Sequence, residues 1–266
     1  MRNNNFKVIL ILLLSLFSNR LTAQTDKYIV IKSAPSYTLQ FNINYNQSAL
    51  ELSGAYNDDN QSINTYNGSS FGADKGYGAG LISKISLHKS GNLRFTQSIS
   101  YNRLLTYTFG DKENIADRGK SEYNCFTGGL GLECNFTPTK KFKIYVGSEL
   151  NISLINGNVT VWFNPALSDT TYKILNSLRG GFGLSIGGEY LLSDNFGLHL
   201  GARFINANFI GKKSEGSNSD MEFKLRDAAD PNLKFAGDKN KSFSFYNILL
   251  GINFYFGVET KKYKIN

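Results

Sequence analysis

After the first 24 residues, apolar positions recur at every second residue, and the 3.6-residue helical spacing is almost absent. Residues 246–256 show it best. Tyr246, Ile248, Leu250, Ile252, Phe254 and Phe256 define one face, while Asn247, Leu249, Gly251, Asn253 and Tyr255 define the other. A strand puts successive side chains on opposite sides, so one face here is uniformly apolar over six positions.

Seven more segments share the pattern. Their apolar faces are Tyr37–Tyr45, Tyr77–Leu87, Leu93–Tyr101, Phe126–Phe136, Phe142–Ile152, Phe182–Leu192 and Leu198–Phe204. This predicts eight strands, or ten if Tyr28–Lys32 or Ala49–Tyr56 pair separately. The connections alternate in length. Short turns fall at 88–92, 137–141 and 193–195, and long polar segments at roughly 57–75, 109–121, 157–178 and 208–241. Short turns at one end and long loops at the other are the pattern of a closed antiparallel transmembrane β-barrel, with the turns and both termini in the periplasm and the loops outside.

A weak repeat agrees with hairpin units. Gly78-Ala79-Gly80-Leu81, Gly129-Leu130-Gly131-Leu132 and Gly181-Phe182-Gly183-Leu184 start 51 and 52 residues apart. No helix pattern and no Lys-Ser/Thr follows them, so they do not read as a phosphate-binding loop.

Composition changes this picture in three ways. The chain has 20 Phe and 15 Tyr, which speaks against disorder, and only 4 Pro, which suits long hydrogen-bonded ladders. Its mean hydropathy of −0.27 fits a barrel whose lipid-facing and lumen-facing residues average out. The formal charge of +8 suggests an anionic partner only until its location is considered. Residues 1–23 read as an export signal: Arg2 and Lys7, an apolar run from Val8 to Phe17, then Leu21-Thr22-Ala23. Its loss removes Arg2, Lys7 and Arg20 and leaves +5, scattered along the chain, so no nucleic-acid partner is expected. The resulting layout is a signal at 1–23, a periplasmic segment at 24–34, a barrel at 35–258 and a periplasmic tail at 259–266.

Charge also tests the two faces. Lys84, Arg94, Glu133, Lys143, Glu149, Glu189 and Arg203 all fall opposite the apolar face, where a lumen would be. Arg103 alone breaks the rule, and its height suggests the outer interface. Lys84/Arg94, Glu133/Lys143 and Glu189/His199 straddle the three short turns. We expect a Glu133–Lys143 ion pair, a hydrogen bond from His199 to Glu189, and an acidic partner from elsewhere for Lys84 and Arg94. An eight-stranded lumen holds side chains or one small ligand, not an aqueous channel. Tyr37, Phe95, Tyr101, Phe136, Phe142, Tyr190, Phe254 and Phe256 read as interfacial girdles, and Tyr107, Phe109 and Tyr123 as outer-rim residues.

Cys125 and Cys134 are nine residues apart on one strand and on opposite faces, about 30 Å from each other, so no disulfide joins them. Ser185, Glu189 and His199 share the inward face but are badly spaced for a catalytic triad, and no zinc spacing such as H-E-x-x-H exists. No catalytic residue, cofactor or metal ligand is therefore assigned.

The signal ending Leu21-Thr22-Ala23-Gln24, the G-x-G-L strands with their short turns, and the final Leu250-Gly251-Ile252-Asn253-Phe254-Tyr255-Phe256 resemble the small outer-membrane β-barrel family that includes PorT-like proteins. The resemblance covers about 35–258 and implies an integral bacterial outer-membrane barrel. Some PorT-like members assist protein secretion, but no residue carries that role over. The expected function is non-enzymatic, with the bilayer as partner and the 208–241 loop as a contact surface for an extracellular or envelope protein. The competing expectations are small-solute transport through the lumen and lipid modification.

Overall fold

The structure, a computed structural model, describes residues 28–53, 73–109, 118–162, 170–210, 222–223 and 243–264. The strands are β1 (Tyr28–Lys32), β2 (Tyr37–Ala49), β3 (Lys75–Ser86), β4 (Leu93–Phe109), β5 (Arg118–Asn135), β6 (Phe142–Trp162), β7 (Thr170–Leu191), β8 (Phe196–Ile210), β9 (Glu222–Phe223), β10 (Ser244–Phe256) and β11 (Thr260–Lys264). One 3-10 turn, Leu50–Ser53, follows β2.

Eight strands run β6-β5-β4-β3-β2-β10-β8-β7, and β7 pairs back onto β6 to close the ring. All eight neighbouring pairs are antiparallel. Closure leaves no free edge, so the backbone satisfies its own hydrogen bonds without water. Tyr28–Lys32 does form a strand, but it pairs with Thr260–Lys264 in a separate two-stranded ribbon, and Leu50–Ser53 leaves the sheet. The barrel count is therefore eight, not ten. β9 adds a short parallel pairing to β7 at Lys173 and Ile174.

The turns expected at one end are tight. Leu87 N–H donates to the Leu93 carbonyl at 2.9 Å and Gly91 N–H to that of His88 at 2.9 Å. Gly91 has φ 71°, and a Cβ there would lie 2.3 Å from the Ala34 Cβ, so only glycine fits.

The connections at the other end are shorter than the sequence suggests. β6 and β7 stay paired out to Val161 and Thr170, so the segment expected as a loop at 157–178 is strand at both ends. β4 and β5 likewise run into the 109–121 segment and β8 into 208–241. The misreading has a simple cause. Beyond an apolar belt the outward face of a strand meets water, so a continuing strand loses its apolar alternation and looks like a polar loop. Thr160 Oγ1 and Thr171 Oγ1, 3.1 Å apart across that extension, are such residues.

The faces are as the alternation predicts. Phe41, Ile43, Ile99, Leu130, Leu150, Ile186, Leu200, Ile248 and their like are exposed on the outside. On β5 the apolar stretch from Phe126 to Phe136 covers about 33 Å along the strand, or about 25 Å of height once tilted. Aromatic pairs gather at both edges of the belt: toward the turns Tyr37–Phe256 and Phe196–Phe254, each with ring centroids 5.6 Å apart, and toward the loops Tyr101–Phe126 at 4.7 Å and Phe204–Tyr246 at 5.0 Å. The loop-end boundary also carries a polar ladder. Tyr101 Oη donates to Asn124 Oδ1 at 2.6 Å, Asn124 Nδ2 to Asn156 Oδ1 at 3.3 Å, and Asn156 Nδ2 to Asn176 Oδ1 at 3.1 Å. Arg103 sits just beyond this ladder and pairs with Glu122 at 2.6 Å. Tyr123, expected at the outer rim, turns inward there and is buried. Cys125 is buried and Cys134 exposed, both as free thiols.

Candidate functional site

Among the described residues, the lumen is where the fold gathers buried charged side chains. Its floor, near the short turns, holds Lys84 from β3, Arg94 from β4, Glu133 from β5, Lys143 from β6 and Glu189 from β7, all buried. Lys84 Nζ lies 2.8 Å from Glu189 Oε1 and 2.9 Å from Glu133 Oε2. Arg94 Nη2 lies 2.7 Å from Glu189 and also pairs with Glu133. The acidic partners that Lys84 and Arg94 needed are thus Glu133 and Glu189.

Two expected contacts are absent, one through register and one through ring orientation. Glu133 stands opposite Gly147, not Lys143, whose cross-strand neighbour is Glu189. Lys143 Nζ makes no hydrogen bond and lies 4.2 Å above the Tyr255 ring. His199 is opposite Glu189, yet its ring turns elsewhere. Gln40 Nε2 donates to Nδ1 at 3.2 Å, which leaves the proton on Nε2 facing Tyr145 Oη at 2.6 Å. Glu189 receives the Tyr255 hydroxyl instead, at 3.1 Å.

Above this floor Arg203 of β8 pairs with Glu149 of β6, and Ser98 of β4 joins both, at 3.0 Å from Arg203 Nη2 and 3.1 Å from Glu149 Oε2. A cavity of about 20 Å³ separates the two clusters, lined by Lys84, Thr96, Glu133, Tyr145, Ser185 and Arg203. It is the size of one water molecule. The glycine repeat now has a physical account. A Cβ on Gly183 would lie 2.7 Å from Glu149 Oε1, and one on Gly129 3.0 Å from it. The inward glycines leave the wall bare opposite large polar side chains.

The next layer is amide-rich. Asn44 Nδ2 donates to Asn102 Oδ1 at 3.2 Å, and Asn247 Nδ2 to the same oxygen at 3.0 Å. The mouth is apolar: Leu52, Ala73, Leu104, Tyr123, Cys125, Ile155, Ile174, Ile205, Ala207, Phe243 and Phe245 pack as one buried cluster. Leu52 gets there because Leu50 adopts φ 54° and the 3-10 turn folds over the opening.

Chemically this is an ion-and-amide core under a dry plug. Ser185 lines the small cavity, but no hydrogen bond joins it to His199, both of whose ring nitrogens are occupied. Among the described residues no three His, Cys, Asp or Glu converge as metal ligands. Tyr145, Gln40 and the mouth cluster, Tyr123 and Cys125 apart, were not singled out from sequence. Their inward parity was legible; their meeting across the lumen was not.

Compared with solved structures, the chain is similar to Neisserial surface protein A at 16% identity, covering 84% of this chain and 99% of that one, with a TM-score of 0.44. It is similar to the outer membrane protein OprG from Pseudomonas aeruginosa at 10% identity, covering 88% and 98%, with a TM-score of 0.43. The outer membrane protease OmpT from Escherichia coli matches at 10% identity, covering 90% and 99%, with a TM-score of 0.37. No protein family and no curated protein matches the sequence.

Proposed function

We propose that the chain is a non-enzymatic integral barrel of the bacterial outer membrane, exported by the signal at 1–23, whose lumen is a structural core and whose loop end is the working surface. The carrying observation is the filled lumen: an ion network at the floor, an amide layer above it and an apolar cluster across the mouth. A path with a buried apolar layer and cross-linked cations and carboxylates offers no room for a solute, which weighs against transport. The exposed belt, about 25 Å tall, supports bilayer embedding.

The contact surface falls to the loop end, with 208–241 as the leading segment. Asn208–Ile210 belong to β8 and Glu222–Phe223 pair with β7, while 211–221 and 224–242 lie outside the described residues. A role in envelope support or secretion, as in PorT-like proteins, belongs to this reading. The test has two arms. In planar bilayers the refolded protein gives no stepwise current. Affinity capture from native membranes then recovers a specific envelope protein with the full chain and loses it when 211–241 is deleted. A steady single-channel conductance overturns the closed-lumen reading, and an unchanged capture overturns the loop surface.

A further inference from the structure

The outward belt is not uniform. On the wall formed by β7, β8, β10 and β2, outward positions inside the belt carry only apolar or aromatic side chains and glycine. Every polar side chain of the belt between the aromatic and asparagine rims falls on the other wall, β3 to β6: Ser83, Gln97 and Ser148. Gln97 is the sole amide. The belt on β4 runs from Leu93 to Tyr101, so Gln97 stands at its middle, directly opposite Ser83 on β3 and Leu130 on β5. Its side chain is exposed and has no hydrogen-bond partner among the described residues. A hydroxyl can return to its own backbone, but a carboxamide facing hydrocarbon finds no partner there.

Beside it the surface is notched. Register places Leu81, Ile99, Gly128 and Ile152 in one row across four strands. A Cβ built on Gly128 meets nothing within 4 Å. A groove of about 610 Å³ follows this row and the next, edged by Ile99, Leu130, Leu150 and Ile152. These four are 59–72% exposed.

We infer that this wall is the contact face for a second copy of the chain. All copies insert in the same direction, so a two-fold axis relating two of them runs along the membrane normal. Each residue then meets residues at its own depth. A carboxamide carries both a donor pair and an acceptor, so Gln97 and its symmetry mate satisfy each other reciprocally. Ile99, on β4 beside the axis, is then the knob placed to enter the Gly128 notch of the other copy. Close approach over a small residue, with a polar pair as glue, is how membrane-embedded surfaces associate where hydrocarbon offers no hydrophobic drive. The inference rests on the belt lying in a bilayer.

The experiment uses full-length protein refolded into phosphatidylcholine vesicles, with dimer formation read by energy transfer as lipid dilutes the protein. The wild type dimerises. Gln97→Leu lowers the association constant by about tenfold, and Gly128→Leu abolishes it by filling the notch. Leu200→Ala, on the opposite wall, leaves it unchanged. In a Cys134→Ser background, Ile99→Cys cross-links to itself with a short bis-maleimide. A wild type that stays monomeric at all dilutions overturns the inference. So does a Gln97→Leu variant that associates like wild type, or a tightly retained lipid found in place of the second copy by native mass spectrometry. Vesicle flotation separates the two levels: floating monomers overturn the dimer alone, while protein that does not float overturns the membrane reading with it.

Discussion

Replacing Glu189 by Gln removes one negative charge and almost no volume from the most connected side chain of the lumen. Glu189 is fully buried and receives Lys84 at 2.8 Å, Arg94 at 2.7 Å and the Tyr255 hydroxyl at 3.1 Å. The floor holds three cations, Lys84, Arg94 and Lys143, against two carboxylates. Glu189→Gln leaves those three facing Glu133 alone. Breaking a buried pair from one side strands charge in a low-dielectric interior and costs about 3–5 kcal/mol. With a urea dependence of about 2 kcal/mol/M, the unfolding midpoint falls by about 1.5–2.5 M. The single tryptophan, Trp162, gives the fluorescence signal for a urea titration in vesicles. Lys143→Met is the paired perturbation. Lys143 makes no hydrogen bond, so deleting its charge in the Glu189→Gln background recovers about 1 kcal/mol or more as a coupling energy. Arg103→Ala serves as the reference. Its pair with Glu122 is about one-third exposed, and its loss costs about 1 kcal/mol or less. A midpoint shift below about 0.5 M for Glu189→Gln, or a double variant no more stable than the single one, would refute the view of the lumen as one electrostatic unit.

Other outcomes follow from the packing. Gly131→Ala would set a Cβ 2.2 Å from the Ser148 carbonyl and costs about 1–3 kcal/mol, whereas Gly128→Ala, meeting nothing, stays within about 0.5 kcal/mol of wild type in the same titration. Phe245→Ala opens the mouth cluster and lowers stability by about 3–5 kcal/mol; a loss under about 1 kcal/mol would mean the plug is not packed. Cys134 reacts with a maleimide in detergent while Cys125 stays protected until denaturation, and mass spectrometry of the labelled peptides distinguishes them.

The sequence by itself determined the strands and their two faces. Period-2 alternation has one structural meaning in a strand, and it placed Lys84, Arg94, Glu133, Lys143, Glu149, Glu189 and Arg203 inside and the aliphatic rows outside. It did so because that information is local: each residue's side follows from its parity along one strand. The same locality set its limits. Outside the belt, where the outward face is wet, apolar alternation fades, and the extensions of β6 and β7 looked like loop.

Partnership across the lumen was decided only by the tertiary structure. Glu189 meets Lys84 and Arg94, 105 and 95 residues away, because closure of β7 onto β6 brings inward faces of non-adjacent strands to one axis. Turn symmetry suggested Glu133 with Lys143 and Glu189 with His199, but stagger of the register and ring orientation gave Glu189 to the cations and His199 to Gln40 and Tyr145. The mouth cluster is the clearest case, since Leu52, Tyr123, Ile174 and Phe245 lie on separate segments and share no local pattern. Alternation tells a residue which side it is on, and only the closed ring tells it whom it faces there.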